Sequence, residues 1–207
     1  MPHLDRLTRI LRRTEGNPES ESFLQYSREV KSLFSELARE DAARLIVKLH
    51  AAALTDNVGT AGGLVLYPLL KEFTARFGAS PELLVILFDL APNVHAEDEA
   101  GEYLRAAYKM APNNEYALWQ LLIARTDPWF PPELVRGTGG FDHDLQLIDR
   151  LLEQDPNDPL ALGVRTRLQN TKKDLHAPVN MEFANNLHRL IPHPLRHADL
   201  VQLLLWR

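Results

Sequence analysis

Apolar residues recur at every third or fourth position along nearly the whole chain. Between about 19 and 39, for example, Phe23, Tyr26, Val30 and Leu33 fall on one face of a helix. This spacing predicts amphipathic helices, because an α-helix turns once every 3.6 residues. No stretch combines strict alternation with β-branched residues, so an all-α fold is expected. The pattern places helices at about 3–14, 19–39, 41–54, 66–77, 81–90, 95–110, 114–125, 144–154, 159–173 and 180–190, with a last one that ends the chain.

Three features predict how these helices are organised. The helix at 81–90 is apolar on nearly every side, which indicates a central position. The apolar last helix is expected to pack as a closing element, and Pro68 is expected in the first turn of its helix. A single domain over 1–207 is expected, and the glycine-rich connector at 55–63 also allows two sub-lobes, 1–60 and 64–207.

A helix–turn–helix pattern occurs twice, at 103–118 and 147–162. Each copy has a Pro-Asn turn, and proline ends the preceding helix because it has no backbone N–H to donate. Asn113 or Asn114, and Asn157 or Asp158, are then candidates to cap the helix that follows. A shift of 44 residues superposes Leu104 on Ile148, Ala107 on Leu151, Pro112 on Pro156, Asn113 on Asn157, Ala117 on Ala161 and Leu118 on Leu162. The superposition predicts that Leu104, Leu118, Ile148 and Leu162 are buried.

The first copy resembles the tetratricopeptide repeat. Ala100, Leu104, Ala107 and Pro112 stand at the spacing of that family's small, large, small and proline positions, and the resemblance covers about 80–170. The second copy departs from it, since a large residue replaces the second small one and an insertion lengthens the spacing. The resemblance implies an α-solenoid of stacked antiparallel helical hairpins, a scaffold that usually binds other proteins.

Composition restricts the class of partner. The chain has 207 residues, a net charge of −5 and no cysteine. An acidic chain without a dense basic stripe disfavours nucleic acid and suits a basic protein partner. No apolar run is long enough for a membrane span, and no secretory leader is visible. The absence of cysteine rules out disulfides and fits a reducing compartment, so a cytoplasmic location is expected.

Motifs for chemistry are weak. His193 and His197 lie four apart, as in some zinc sites, but Pro194 falls between them and no acidic partner completes the motif. His143 stands between two aspartates, yet no nucleophile motif accompanies it. The glycines at 137–140 lack the Lys-Ser/Thr pair of a phosphate loop. No metal or cofactor is therefore expected.

An acidic run opens the helix at 95–110. Glu97, Asp98 and Glu99 lie in its first turn, where carboxylates stabilise the positive end of the helix dipole. The same run is a candidate patch for a basic partner.

The segment 126–143 carries the sharpest functional signal. It holds Trp129, Phe130, Phe141 and Arg136 among prolines and glycines, and such residues often anchor protein interfaces. Long loops in compact helical arrays are often functional. The alternative is that the aromatic side chains fill a gap between neighbouring hairpins.

These observations favour a non-catalytic module that binds another protein stoichiometrically, such as a bacterial immunity or inhibitor protein, or an adaptor. One alternative is a helical enzyme that uses Asp142, His143 or the acidic run near Glu97. Another is a regulatory domain that binds a small ligand between hairpins. The oligomeric state is left open.

We predict that Trp129→Ala or Arg136→Ala weakens partner binding by about 1–3 kcal/mol while folding stays intact, because such residues anchor interfaces. Affinity and thermal unfolding are measured on the same variant. Strong destabilisation with unchanged affinity per folded molecule would show that Trp129 is an internal plug.

Overall fold

The computed structural model describes residues 2–11, 13, 17–55, 61–126, 141–173, 189–197 and 200–205. Within these ranges the chain forms α-helices and a 3-10 turn (Ala91–Val94) but no strand, which confirms the all-α prediction there. None of these helices combines the length and the apolar character needed to cross a bilayer. The helices are α1 (Pro2–Leu11), α2 (Glu21–Phe34), α3 (Arg39–Thr55), α4 (Ala61–Phe77), α5 (Pro81–Leu90), α6 (Glu97–Met110), α7 (Glu115–Thr126), α8 (Phe141–Gln154), α9 (Pro159–Lys173), α10 (Pro194–His197) and α11 (Leu200–Leu205).

Serine caps mark the starts of two helices. Ser20 Oγ accepts a hydrogen bond from the N–H of Phe23 at 3.1 Å, and Ser80 Oγ accepts one from the N–H of Leu83 at 3.3 Å. Each bond satisfies a donor that the first helical turn leaves without a partner. Pro81 is the first residue of α5, so the predicted start at this proline is confirmed.

The two Pro-Asn turns have the same local geometry. The N–H of Asn114 donates to Ala111 O at 3.0 Å, and 44 residues later the N–H of Asp158 donates to Asp155 O at 3.2 Å. The side-chain oxygens of Asn114 and Asp158 then accept backbone N–H bonds at 3.1 and 2.8 Å and cap α7 and α9. The predicted helix boundaries at the two prolines are therefore confirmed, and membership of the tetratricopeptide family stays a prediction.

The burial predicted from the repeat is wrong at its last position. Leu104, Leu118 and Ile148 are buried as predicted, but Leu162 is 42% exposed. The difference lies in what covers each helix. Helix α7 packs against α5, α6 and α8, whereas α8 is the main neighbour of α9 among the described helices. Among the described helices, none covers the Leu162 face of α9 in the way that α5 and α6 cover α7.

Helices pack mainly against their neighbours in sequence. Helix α1 pairs with α2, α3 pairs with α4, and these pairs stack through α1 on α3 and α2 on α4. The C-terminal helices return to earlier parts of the chain, α10 to α5 and α11 to α3. Arg39 Nε donates to Leu204 O at 3.1 Å, and the Leu204 side chain is buried. The last described helix is thus a closing element, as predicted.

Helix α5 lies at the centre of this arrangement. Every side chain from Leu83 to Phe88 is buried, together with Leu90, which confirms the predicted central position. The larger apolar cluster runs from Leu7 in α1 to Leu204 in α11, and a smaller cluster is formed by Leu84, Val85, Ala107 and Ala117.

Helix α4 differs from the prediction. It begins at Ala61, so Pro68 lies in its interior rather than in its first turn. An interior proline leaves the carbonyl four residues earlier without its helical donor and bends the helix. Beside this point, the Tyr26 hydroxyl donates to Val65 O at 3.1 Å, a buried bond that ties α2 to α4.

Other helix boundaries differ from the predicted ones by a few residues. Helix α2 ends at Phe34 rather than near 39, because Ser35 and Glu36 form a tight turn in which the N–H of Glu36 donates to Leu33 O at 3.1 Å. Helix α8 begins at Phe141 rather than near 144. The helix predicted at 180–190 lies mostly outside the described residues.

We predict that Leu104→Ala, Leu118→Ala and Ile148→Ala each lower the free energy of unfolding by about 2–5 kcal/mol, because each leaves a cavity in the core. Leu162→Ala is the matched control, and a loss below about 1 kcal/mol is expected at this exposed site. Urea unfolding of the four variants measures these values. Equal losses at Leu118 and Leu162 would contradict the assigned difference in burial.

Candidate functional site

A groove of about 610 Å³ opens on the surface between α2, α4 and the start of α6. It is neither a closed cavity nor a flat patch. One wall is α2, the floor is α4, and the opposite wall is the 3-10 turn with the first residues of α6. The lining residues include Phe23, Arg28, Lys31, Tyr67, Lys71, Glu72, Val94, His95, Asp98 and Glu99.

Helical spacing explains why the groove has these walls. Phe23, Ser27 and Lys31 lie four residues apart on one face of α2, and Tyr67 and Lys71 do the same on α4. Side chains at this spacing point the same way, so each helix presents a continuous row to the groove.

The opposite wall depends on a change of direction at His95. This residue has left-handed backbone angles, φ 55° and ψ 38°, between the 3-10 turn and α6. The N–H of Ala96 donates back to Ala91 O at 3.0 Å and holds the turn closed. The turn aims the start of α6 at the groove, which brings Asp98 and Glu99 to its edge.

Glu99 is the centre of a polar network. Lys71 Nζ lies 2.7 Å from both of its carboxylate oxygens. The Tyr103 hydroxyl donates to Glu99 Oε2 at 2.8 Å, and the Tyr67 hydroxyl donates to the same oxygen at 3.1 Å. The two tyrosine rings meet edge to face, with centroids 6.4 Å apart. The network joins α4 to α6 across the base of the groove.

The network moves the pKa values of Glu99, Tyr67 and Tyr103 away from neutrality. Burial alone would raise the pKa of Glu99, but hydrogen bonds from Lys71, Tyr103 and Tyr67, with the charge of Lys71, lower it overall. Burial raises the pKa of Tyr103 to about 12. Burial, followed by the contacts with Tyr103 and Glu99, raises the pKa of Tyr67 far above its usual range. At pH 7 Glu99 is therefore an anion, and both phenols keep their protons.

Four further charges line the groove without an ion-pair partner in the described part of the chain. Arg28 and Lys31 lie on the α2 wall, and Arg28 donates only to Leu24 O of its own helix, at 3.3 Å. Glu72 and Asp98 carry the opposite charge on α4 and α6. The groove is thus cationic along α2 and anionic along its other side.

The structure brings only part of the predicted site together. Asp98 and Glu99 line the groove, whereas the Glu97 side chain lies outside what the structure describes. Helix α6 has no side-chain cap, so carboxylates in its first turn also suit the helix dipole. Glu99, however, directs its oxygens at α4 and at Tyr103.

Most of the candidate segment 126–143 falls outside the described residues. Trp129, Phe130 and Arg136 are outside the described residues, and so is the side chain of Phe141, the first residue of α8. The His143 ring packs edge to face on Tyr108, with centroids 6.4 Å apart. Tyr108 lies nine residues after Glu99, about 14 Å further along the axis of α6. His143 and the groove are therefore separate sites.

His193 lies directly before α10, whose first residue is Pro194. It is buried, its Nδ1 accepts a hydrogen bond from the N–H of Leu195 at 3.2 Å, and its Nε2 lies 3.6 Å from Asp89 Oδ2. These contacts fasten the start of α10 to α5. Within the described ranges no three histidine, aspartate or glutamate side chains are grouped as a metal ion would require.

The cationic wall and the tyrosines were not among the site residues predicted from the sequence. Tyr67 and Lys71, and likewise Glu99 and Tyr103, are four apart, so each pair was visible as neighbours on one helix. Their meeting across two helices depends on how α4 and α6 pack, which periodicity does not specify.

Comparison of the chain with protein-family models, with curated proteins and with solved structures finds no match.

We predict that Glu99 contributes to stability in a pH-dependent way. Its folded-state pKa lies below the ordinary value of 4.5, so the unfolded state binds the proton more readily. The contribution is complete above the unfolded pKa and is lost as pH falls through the lower folded value. Because the Lys71 and Glu99 side chains are 44% and 41% exposed, we expect it to stay below about 1 kcal/mol.

Urea unfolding of the native chain and Glu99→Gln between pH 7 and 3 tests this. The native chain should lose more stability than Glu99→Gln over this range. Glu153→Gln, at an exposed glutamate of α8, is the control and should follow the native curve. Parallel curves for the native chain and Glu99→Gln would show that the network does not stabilise the folded carboxylate.

Proposed function

We propose that the protein is a non-catalytic binding module that associates stoichiometrically with another protein, and that the groove between α2, α4 and α6 receives part of that partner. The observation that carries the proposal is the electrostatic state of the groove. Glu99 is already neutralised by Lys71 at 2.7 Å, and the hydroxyls of Tyr67 and Tyr103 already donate to it.

Such a cluster suits binding better than acid–base catalysis. A general acid or base works best when its pKa lies near the working pH. Here the carboxyl pKa is lowered and the phenol pKa values are raised, so none of the three exchanges a proton readily at pH 7. A network of this kind holds charges and apolar surfaces in fixed positions, which lowers the cost of ordering them on binding.

The groove also fits a surface for a partner. Phe23 on the α2 wall and Tyr67 on the α4 floor supply aromatic surface, and arginine and lysine also line the α2 wall. Aromatic side chains and arginine are the groups that most often dominate interface energy. The 126–143 segment, with Trp129 and Arg136, is the second proposed contact.

Two specific forms of this function are an inhibitor and an adaptor. An immunity or inhibitor protein lowers the activity of its partner on binding, whereas an adaptor leaves that activity unchanged. Assay of the captured partner with and without one equivalent of this protein separates the two.

A small-ligand regulatory domain is the second candidate, because 610 Å³ lies within the range of about 300–1,000 Å³ typical of small-molecule sites. A regulator of this kind should retain or bind a metabolite that native mass spectrometry detects on the isolated protein.

We predict that the tagged full chain captures one protein at a fixed 1:1 ratio. The mass of this partner should be the same before binding and after dissociation. Asp98→Ala, at the groove, should weaken that association by about 1–3 kcal/mol. Lys109→Ala is the control, since this exposed lysine lies ten residues after Glu99, about 15 Å along α6.

Sedimentation measures the ratio, and titration of the purified partner measures the affinity. Repeated turnover and release of a chemically altered partner would contradict a non-catalytic role, and so would failure to capture any stoichiometric partner. Equal affinities of Asp98→Ala and Lys109→Ala would move the contact away from the groove.

A further inference from the structure

The geometry points to a specific occupant for the groove: a polypeptide segment that places an acidic side chain on the α2 wall, an apolar side chain on the floor and a basic side chain on the α6 side. This inference rests on the proposed function, because the segment belongs to the bound partner. It is carried by the distribution of charge, by the apolar floor and by an exposed leucine beyond the groove.

The charges of the groove are separated rather than paired. Arg28 and Lys31 on α2 face a groove whose other side carries Glu72 and Asp98, and within the described ranges none of the four forms an ion pair. The cations of α2 are therefore not paired with the carboxylates on the other side. An occupant with charges of both signs satisfies the two walls at once, whereas a singly charged one satisfies a single wall.

The centre of the groove does not compete for these charges. Lys71 and Glu99 neutralise each other at 2.7 Å, and Tyr67 and Tyr103 saturate the same carboxylate. The cationic character of the groove therefore comes from Arg28 and Lys31, and its anionic character from Glu72 and Asp98. This arrangement fixes the direction in which a bipolar segment lies.

Apolar residues line the floor and both walls of the groove. Tyr67 (5% exposed) and Pro68 belong to the α4 floor, Phe23 (7% exposed) to the α2 wall and Val94 to the opposite wall. An apolar side chain that covers this floor removes its remaining surface from water. The occupant therefore carries its apolar group between its two charges.

A leucine outside the groove favours a polypeptide over a small molecule. Leu24 is 53% exposed and stands one turn before Arg28, so that Leu24, Arg28 and Lys31 form one stripe along α2. The apolar end of this stripe extends the α2 wall beyond the lining residues. A chain with successive side chains can contact the floor, the cations and Leu24 together.

Selection from a displayed library of random dodecapeptides tests the inference. The targets are the native full chain, the charge reversal R28E/K31E, and the control R44E/K109E, which makes the same charge change at exposed cations of α3 and α6. Peptides enriched on the native chain should share an acidic, an apolar and a basic position in fixed order. Peptides enriched on R28E/K31E should replace the acidic position by a basic one.

Affinities of one enriched peptide give the quantitative test. R28E/K31E should weaken its binding by at least about tenfold, and R44E/K109E should change it by less than about twofold. Changing the acidic residue of the peptide to lysine should restore binding to R28E/K31E. D98K should likewise weaken binding of the peptide, and changing the basic residue of the peptide to an acidic one should restore it. Circular dichroism and urea unfolding test whether each variant folds. If R28E/K31E does not fold, R28Q/K31Q is a milder replacement.

Several outcomes would overturn the inference. These are no enrichment on the native chain, enrichment without a shared acidic position, and equal peptide affinities for R28E/K31E and R44E/K109E. A natural partner captured at 1:1 that binds both double variants equally would also overturn it, while leaving the proposed function intact. Absence of any stoichiometric partner would instead overturn the proposed function itself.

Discussion

The fold depends on enclosing one helix that has no polar face. Helix α5 buries Leu83 through Phe88 in an unbroken run, so other elements must cover it on every side. Helices α4, α6, α7 and α10 supply that cover. A helix that is apolar all round is stable only when it is surrounded in this way. The return of the C-terminal elements, with His193 3.6 Å from Asp89 on α5, follows from the same requirement.

The groove is a consequence of how α5 is covered. Helices α4 and α6 both contact α5, and the 3-10 turn that joins α5 to α6 reverses direction at His95. This turn sets the start of α6 beside α4, close enough for Glu99 to meet Lys71 and the two tyrosines. Helix α2 leans on the other side of α4, where Tyr26 bonds to Val65 O near the interior proline. The α2 wall, the α4 floor and the α6 wall are therefore positioned by core packing.

Local physics made much of the fold predictable. Proline and a capping residue specify where a helix stops and the next begins, so the ends near Pro81, Pro112 and Pro156 were predicted from a few neighbouring residues. Leu162 shows the limit of this reasoning, because its pattern matches Leu118 but burial depends on a covering helix. Pro68 shows another limit. Helix α4 begins at Ala61 and includes Gly62 and Gly63, a glycine pair that resembles a connector in the sequence. Of the candidate site, Asp98 and Glu99 were found through their clustering, whereas Arg28 and Lys31 became part of it only through tertiary packing.

The overall charge of the chain and the local charge of the groove act over different distances. In the proposed function, a net charge of −5 would attract a basic partner during approach, but salt screens such a field over about 8–10 Å. Once the surfaces meet, the nearest groups decide orientation, and in the groove these include two cations as well as two carboxylates. A partner that is basic overall can therefore still present an acidic side chain to Arg28 and Lys31. In the proposed function, the acidic surface would then favour encounter, and the opposed walls of the groove would select the segment that binds.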